Sequence, residues 1–318
     1  MTGWLLAELG ADPTVVNGGA VIGWDEGEHV GSIRMGKSGL WVAEADESDR
    51  SCLFLHPEWN IITNISRDHF PLPETIELFR QFASQTSERV VCFPETAKLL
   101  SNSLAVENTV FRNGKSWSFI LNKLEITSPL PGRHNAENAL LACALCIATG
   151  YDAEAVRKAL ASFKGIRRRL ELVGEARGIR VFDDYAHNPA KIAAAWSTIA
   201  EDSSRVLGVW RPHGFGPLRQ MKEALVEMFR AELRGNDQLF LLPVYYAGGS
   251  AEKDVSSDEL AAALKAQGVN ASAVPDYQEL TRLILQEADA GGSVLVMGAR
   301  DPMLPVFARD VLKRLNER

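Results

Sequence analysis

The sequence predicts an α/β protein in two domains, and three observations carry that expectation. From about residue 170 onward, apolar strands near 179–182, 205–210, 238–242 and 293–297 alternate with helices near 190–201, 217–234, 257–267, 276–288 and 303–315. Such alternation implies a doubly wound, Rossmann-like sheet. In the front half, Leu40–Ala43 and Trp59–Thr63 are short apolar strands that end in acids or a histidine, which suggests buried parallel strands with a site at one edge. A length of 318 residues is enough for two cores, and a boundary is expected near Arg169–Leu172.

Composition removes several classes. A chain 46% hydrophobic and 24% charged is globular, and a net charge of -7 with no long basic run argues against a general nucleic-acid binder. The longest apolar run, Ala139 to Ala148, is about half the ~20 residues a membrane span needs. Met1–Gly10 lacks the basic start of a signal peptide and carries Glu8 within its apolar stretch. Cys52, Cys92, Cys143 and Cys146 are too few and too apolar in context for a disulfide framework. The C-x-x-C of Cys143 and Cys146 sits among Ala and Leu with no second pair to complete a zinc site, so it reads as core. The expected compartment is cytoplasmic, with neither membrane nor nucleic acid as partner.

Taken in order, Thr2–Leu9 reads as the latter part of a helix that Gly10 stops. Val15-Val16-Asn17-Gly18-Gly19 is a strand running into a loop, and the glycines after it suit short antiparallel strands. A helix is expected at about Pro73–Ser87 and a strand at Arg89–Phe93. Residues 109–127 read as edge strands around the Arg112-Asn-Gly114 turn. Asn135–Thr149, apolar nearly all round and closed by Gly150, is expected to be a buried helix, and Asp152–Phe163 another.

Four clusters carry polar chemistry. Glu44 and His69 each follow a strand, and four of the six residues from 44 to 49 are acids, which repel unless a cation or donors lie near. They read either as a magnesium site or as a solvated acidic turn beside a surface histidine. His134, Asn135 and Asn138 surround a helix start, where Asn135 either caps the helix or pairs with an adenine edge. Arg167, Arg168 and Arg169 are three adjacent guanidiniums, suited to phosphate or to a solvated turn. Asp183, Asp184 and His187 stand at a strand end, either locking the turn as an acid–histidine pair or orienting a ribose or an incoming amine. A fifth stretch, Trp210–Arg219, holds Gly214-Phe-Gly216, but Arg219 stands where a dinucleotide fingerprint needs its third glycine. A nicotinamide-dependent oxidoreductase is therefore weakly supported. An anion loop at a helix N-terminus fits better.

Assembled, these stretches resemble the Mur ligases of peptidoglycan synthesis over nearly the whole chain. The markers are Asn17-Gly-Gly19, Ala43–Asp49, Thr63-Asn64 with Asp68-His69, Gly132–Ala139, Arg168-Arg169 and Asp183–His187, in family order. The resemblance implies a central ATPase-type domain with a mostly parallel sheet over residues 1–169 and a Rossmann-like, amino-acid-binding domain over 170–318. It implies an ATP-dependent ligase that joins a UDP-N-acetylmuramyl carboxylate to an amino acid or peptide through an acyl phosphate, with ATP and Mg2+ as cofactors. By the same resemblance, Glu44 and His69 hold the metal. His134, Asn135, Asn138, Arg168 and Asp183 contact the nucleotide, and Arg169 contacts its terminal phosphate. Asp184 and His187 serve the reaction from the rear domain, while Asn17, Thr63, Asn64 and His213 line the substrate side.

Two departures stand out. The family's P-loop, Gly-Thr-His-Gly-Lys-Thr, is expected directly before the first helix, where this chain has Met1-Thr2, and no UDP-binding N-terminal domain is present. The expectation is a truncated ligase that does not turn over ATP by itself, or a non-catalytic remnant that binds nucleotide or a partner. The alanine-adding branch shows Pro-His-Arg-Tyr-Thr-Arg where this chain has Pro212-His-Gly-Phe-Gly-Pro217, and its second histidine after Asp-Asp-Tyr is Asn188 here. L-alanine is therefore in question, and the tripeptide-recycling branch stays open.

Overall fold

The computed structural model describes every residue except 28, 29, 67, 68, 249 and 251. The chain forms two compact units, Met1–Gly165 and Ile166–Arg318, so the division falls slightly before the expected one. The arginine triplet belongs to the second unit because its main chain and the Arg167 and Arg168 side chains are bound there. Among the described residues, no helix is long and apolar enough to cross a membrane.

In the first unit, helix α1 (Thr2–Glu8) ends at Gly10, whose φ of +82° is the left-handed turn glycine tolerates. Strand β1 (Thr14–Val16) pairs antiparallel with β2 (Ile33–Arg34) and parallel with β3 (Trp41–Ala43). A short 3-10 turn spans Ser51–Phe54. Strand β4 (Trp59–Ile61), helix α2 (Leu72–Ser84), strand β5 (Arg89–Cys92), helix α3 (Pro94–Ala97) and strand β6 (Ser103–Ala105) follow, and β4-β5-β6 form a separate parallel sheet. Strands β7 (Phe111–Asn113), β8 (Ser116–Leu121) and β9 (Leu124–Thr127) make an antiparallel meander, its first turn placing Gly114 at φ +60°. Helix α4 (Arg133–Ala148) is buried on most sides, including Cys143 and Cys146, and collects α1, β5, β8 and β9 into one core. Helix α5 (Ala153–Ala161) is capped by Asp152, whose carboxylate accepts the Ala155 N–H at 2.9 Å.

One expectation fails here. Strand β3 is not buried: Trp41 is 65% exposed, and β3 pairs with β1 alone among the described strands. An apolar run four residues long carries no information about which neighbours will cover it.

The second unit is a six-stranded sheet in the order β10-β11-β15-β12-β13-β14. Strand β10 (Glu171–Ala176) runs antiparallel to β11 (Ile179–Asp184), while β12 (Val206–Trp210), β13 (Gln238–Leu241), β14 (Ala271–Ala273) and β15 (Ser293–Met297) are parallel to β11. Helices α6 (Pro189–Ala200), α7 (Phe215–Glu232) and α8 (Ser257–Ala266) pack on one face, with Phe182, Trp210, Leu295 and Met297. Helices α9 (Tyr277–Glu287) and α10 (Met303–Glu317) pack on the other, with Val181, Val209, Val294 and Val296. Alternate residues of each strand thus enter alternate cores, which is why these strands read as unbroken apolar runs. Pro189 opens α6 at its first turn, behind an Asn188 side chain that accepts the Lys191 N–H at 2.9 Å.

Buried polar groups fix the opposite edge of this sheet. Asp237, fully buried, accepts from the Val206 and Arg234 amides, the Arg234 guanidinium and Trp196 Nε1. Burial works against its charge, but these donors hold its pKa below the ordinary value. The Trp196 ring in turn packs against Gly208 at the centre of β12, where an added Cβ would stand 2.0 Å from Cζ3. Gly208→Ala is expected to destabilise the second unit by about 1–3 kcal/mol, through a clash with a ring that its own hydrogen bond prevents from moving. Denaturant unfolding followed by tryptophan fluorescence checks this.

Candidate functional site

Strand β15 lies between β11 and β12, with Met297 opposite both Asp184 and Trp210. The chain therefore leaves three parallel strands side by side at their carboxyl ends, where open α/β sheets bind ligands. Asp183–His187 leave β11, Arg211–His213 leave β12, and Gly298–Asp301 leave β15.

At the β11 exit, Asp184 accepts the Ala186 N–H through Oδ1 and the Leu170 N–H through Oδ2, both at 2.7 Å. Its pKa is raised by burial, against the pull of those amides and of Arg169 and Arg168. Asp183 is 1% exposed, and neither carboxylate oxygen has a hydrogen bond among the described residues. Desolvation raises its pKa to about 6, although Arg168 Nε stands 3.5 Å from Oδ1. Of the two readings of this turn, the acid–histidine pair does not form among the described residues. His187 Nδ1 lies 2.9 Å from the Tyr185 carbonyl oxygen, so Nδ1 carries the proton and Nε2 is the acceptor in the neutral ring. Its ring meets the Tyr185 ring edgewise at 5.6 Å and that of His213 at 5.4 Å.

His213 comes from the next exit. Burial lowers its pKa, and the charges of His187 and Arg300 lower it further. Tyr245 bonds the main chain on either side of it, donating its N–H to the Pro212 carbonyl at 2.8 Å and accepting the Gly214 N–H at 2.9 Å. Gly214, at φ +79°, is the N-cap of α7 and no side chain caps that helix among the described residues. Beside it is a cluster the sequence reading missed. Arg211 donates to Asp301 and to the Tyr277 hydroxyl, that hydroxyl donates to Asp301 at 2.5 Å, and Tyr245 and Tyr277 flank the guanidinium. Burial opposes the charge of Asp301, but Tyr277, the Met303 N–H and Arg211 together hold its pKa down. Nothing in the one-dimensional sequence links positions 211, 277 and 301.

The arginine triplet divides into three roles. Arg167 pairs with buried Glu171 at 2.5 Å, and Arg168 faces inward on the Gly298 and Ala299 carbonyls. Arg169 alone is exposed. The picture of three guanidiniums waiting for an anion is corrected for Arg167 and Arg168, which the fold itself uses.

In the first unit, Glu44 follows β3 and accepts the Gly18 N–H through Oε2 at 2.6 Å. His69 is exposed, with Nε2 at 3.9 Å from Glu47 Oε1. The acidic run is relieved by donors: Asp46 accepts from the Ser48 hydroxyl and amide, and Asp49 from Ser51, and both pKa values are held down. Among the described residues, no group of three or more His, Cys, Asp and Glu side chains is placed to hold a metal. Asn17 donates to the Gly19 carbonyl at 2.6 Å, while Thr63 and Asn64 are exposed beyond β4. Asp68 lies outside the described residues. Asn135 does not cap α4: the N-cap is Gly132, and the Asn135 amide donates back to the Pro131 carbonyl at 2.7 Å. His134 and Asn138 are exposed on the first turns of that helix.

The letters of a P-loop, G-x-x-x-x-G-K-S, do occur at Gly31–Ser38, and the sequence reading passed over them. The structure excludes the role. Ile33–Arg34 is strand β2, and the segment runs on into β3 where a phosphate loop needs a helix N-terminus. The Lys37 N–H donates to Asp12 Oδ2 at 2.9 Å, and Gly36 packs so closely that a Cβ would stand 2.0 Å from the Asp12 carbonyl oxygen.

Comparison with known proteins gives concordant results. The family profile described as "Mur ligase, glutamate ligase domain" matches residues 168–300. The UDP-N-acetylmuramate–L-alanine ligase of Chelativorans sp. (strain BNC1) is 32% identical over 335 aligned positions, which cover 94% of this chain and 70% of that protein. The crystal structure of UDP-N-acetylmuramate-alanine ligase from Thermotoga maritima superposes with a TM-score of 0.76 at 26% identity, covering 99% of this chain and 72% of that one. A murein peptide ligase from Psychrobacter arcticus 273-4 shares the fold, with a TM-score of 0.60 at 18% identity over 100% of this chain and 74% of that one.

Two predictions follow from these placements. A folded pKa near 6 for Asp183, above the ordinary 3.8, means the native state binds its proton more tightly, so this group's contribution to stability falls as pH rises from about 4 to about 6. Asp183→Asn removes that titration. Its stability relative to the native chain is expected to rise by on the order of 2–3 kcal/mol across the window, read from denaturant midpoints, and a flat difference would contradict it. Lys37→Ala is expected to leave ATP-analogue binding within twofold in calorimetric titration, whereas a phosphate-loop lysine would lose most of it.

Proposed function

We propose that this chain, which belongs to the Mur ligase family, serves an ATP-dependent ligase that joins a UDP-N-acetylmuramyl carboxylate to an amino acid or peptide. The observation that carries this reading is the 32% identity to a UDP-N-acetylmuramate–L-alanine ligase across 94% of the chain.

ATP, with magnesium, supplies the phosphoryl group that activates the carboxylate and the charge neutralisation that transfer requires. Glu44 fits the metal: it is an exposed carboxylate at a strand exit, suited to an ion that takes one or two carboxylates and keeps phosphate and water ligands. His69 fits it less well, since imidazole is an unusual magnesium ligand and its ring faces Glu47. Exposed His134 and Asn138, with half-buried Asn135, offer donors and acceptors to adenine at the start of α4. Asn17, Thr63 and Asn64 offer them to the sugar nucleotide. Arg169 offers an unburied guanidinium to phosphate oxygens.

The second unit's strand exits suit the amine. An amino group arrives as an ammonium and attacks only after losing a proton. Two imidazoles stand together there, and burial, then the charges of His187 and Arg300, lower the pKa of His213 and favour its neutral, proton-accepting form. As the nitrogen bonds to the carbonyl carbon, the bond from that carbon to the phosphate oxygen breaks, phosphate leaves, and the proton rests on imidazole. Asp184 acts by fixing the Tyr185–His187 turn through two amides. With Gly214 and Pro217 in place of the alanine-adding branch's two arginines, the acceptor is proposed to differ from L-alanine.

Because the one stretch with P-loop spacing runs through β2 toward β3 and opens no helix, the polypeptide of residues 1–318 alone is proposed not to turn over ATP. Phosphate release from that polypeptide is expected to stay at background with and without magnesium. Protein made from the native gene, given ATP, magnesium, UDP-N-acetylmuramate and a panel of amino acids and peptides, is expected to yield one dominant amide adduct by mass with matching phosphate release. ATP hydrolysis without an adduct from any member of the panel would overturn the ligase assignment.

A further inference from the structure

The turn that carries the arginine triplet is held in a conformation its sequence does not favour. Arg168 has φ +58° and Leu170 φ +45°, both in the left-handed region, where a non-glycine residue costs of order 1 kcal/mol or more. Such a conformation persists only where its surroundings over-determine it, and here they do. The Arg168 N–H donates to Glu171 Oε2 at 2.9 Å, its carbonyl accepts the Tyr185 N–H at 2.8 Å, and the Leu170 N–H donates to Asp184 Oδ2 at 2.7 Å. The Arg169 N–H closes onto the Ile166 carbonyl at 3.2 Å.

The Arg168 side chain ties the same turn to two strand exits. Nη1 donates to the Ala299 carbonyl at 2.9 Å and Nη2 to the Gly298 carbonyl, both beyond β15. Nε faces Asp183 of β11, and the guanidinium plane lies 4.9 Å from the centroid of the Tyr185 ring. Gly298 is itself fixed, since a Cβ there would stand 2.7 Å from Leu304 Cδ1. Arg168 thus has its fork on main-chain carbonyls, while its neighbour Arg169 is exposed, with no side-chain hydrogen bond among the described residues.

We propose that Arg168 is a positioning residue: by bracing the left-handed turn against the exits of β11 and β15, it projects the Arg169 guanidinium outward. The geometric part stands on the contacts above. Its consequence for catalysis rests on the reading of Arg169 as the phosphate contact.

The test uses protein made from the native gene, carrying Arg168→Met, Arg168→Lys, Arg169→Met or the Arg168→Met/Arg169→Met pair. Backbone chemical shifts of residues 168–170 report the turn, and ligation kinetics report its effect. Arg168→Met is expected to move those shifts out of the left-handed range and to lower kcat on the order of tenfold to a hundredfold, with KM for the UDP-sugar nearly unchanged. Lysine, which has no planar fork to span two carbonyls, is expected to rescue only part of the loss. The double variant is expected to be no slower than Arg169→Met alone, because a residue acting only through Arg169 has nothing left to position. Additive losses in the double variant, or an unchanged turn with an unchanged rate in Arg168→Met, would overturn the proposal. If the unaltered protein forms no amide, the ligase reading fails, and the shifts of the Arg168 variants still decide the positioning role. Should Arg168→Met not fold, Arg168→Lys carries the same measurements.

Discussion

The parallel pairing of β15 with both β11 and β12 is the constraint on which the second unit's site depends. With Met297 opposite Asp184 on one side and Trp210 on the other, three exits far apart in sequence leave the sheet at one level. That register lets Arg168 reach the carbonyls after β15, lets His187 meet His213, and lets Arg211 meet Asp301. A one-residue slip would turn alternate side chains to the other face, exchanging Val296 for Leu295 and dismantling both cores together with the edge.

Burial at this edge sets the chemistry of its groups differently. Asp184 is shielded from water but satisfied by two amides, and so works as a fixed part of the turn. Asp183, one residue away, is buried without a hydrogen bond, and its proton is held far more tightly than a surface carboxylate's. The pKa of His213 is pushed the other way, down, because burial favours the neutral form of acid and imidazole alike. Neighbouring groups thus have their titrations shifted by different surroundings, the two carboxyls up and the imidazole down.

Much of the fold was legible because the second unit obeys simple patterns. Its parallel strands are buried on both faces and read as apolar runs, and its helices begin where Asn188, Ser256 and Asp276 offer caps. Strand β10 was not legible, since Glu171, Gly174 and Glu175 break its apolar character and its Glu171 is buried against Arg167. Among the candidate site residues, Glu44, Asp184, His187 and His213 could be singled out because acids and histidines at strand ends are chemically conspicuous. The partnership of Arg211 with Tyr277 and Asp301 could not, because it joins segments that meet only through the sheet.

By itself the sequence determined the alternation of elements, the strand-end chemistry and the family resemblance, because period, composition and local motifs are properties of short stretches. Tertiary structure decided which like residues share a role. It separated Arg167 and Arg168, which brace the fold, from Arg169, which is exposed, and it showed that Gly31–Ser38 runs through strand β2 and opens no helix despite its P-loop spelling. The reason is physical: a guanidinium or a glycine loop takes its function from what lies across space from it, and that is fixed only when distant strands pair.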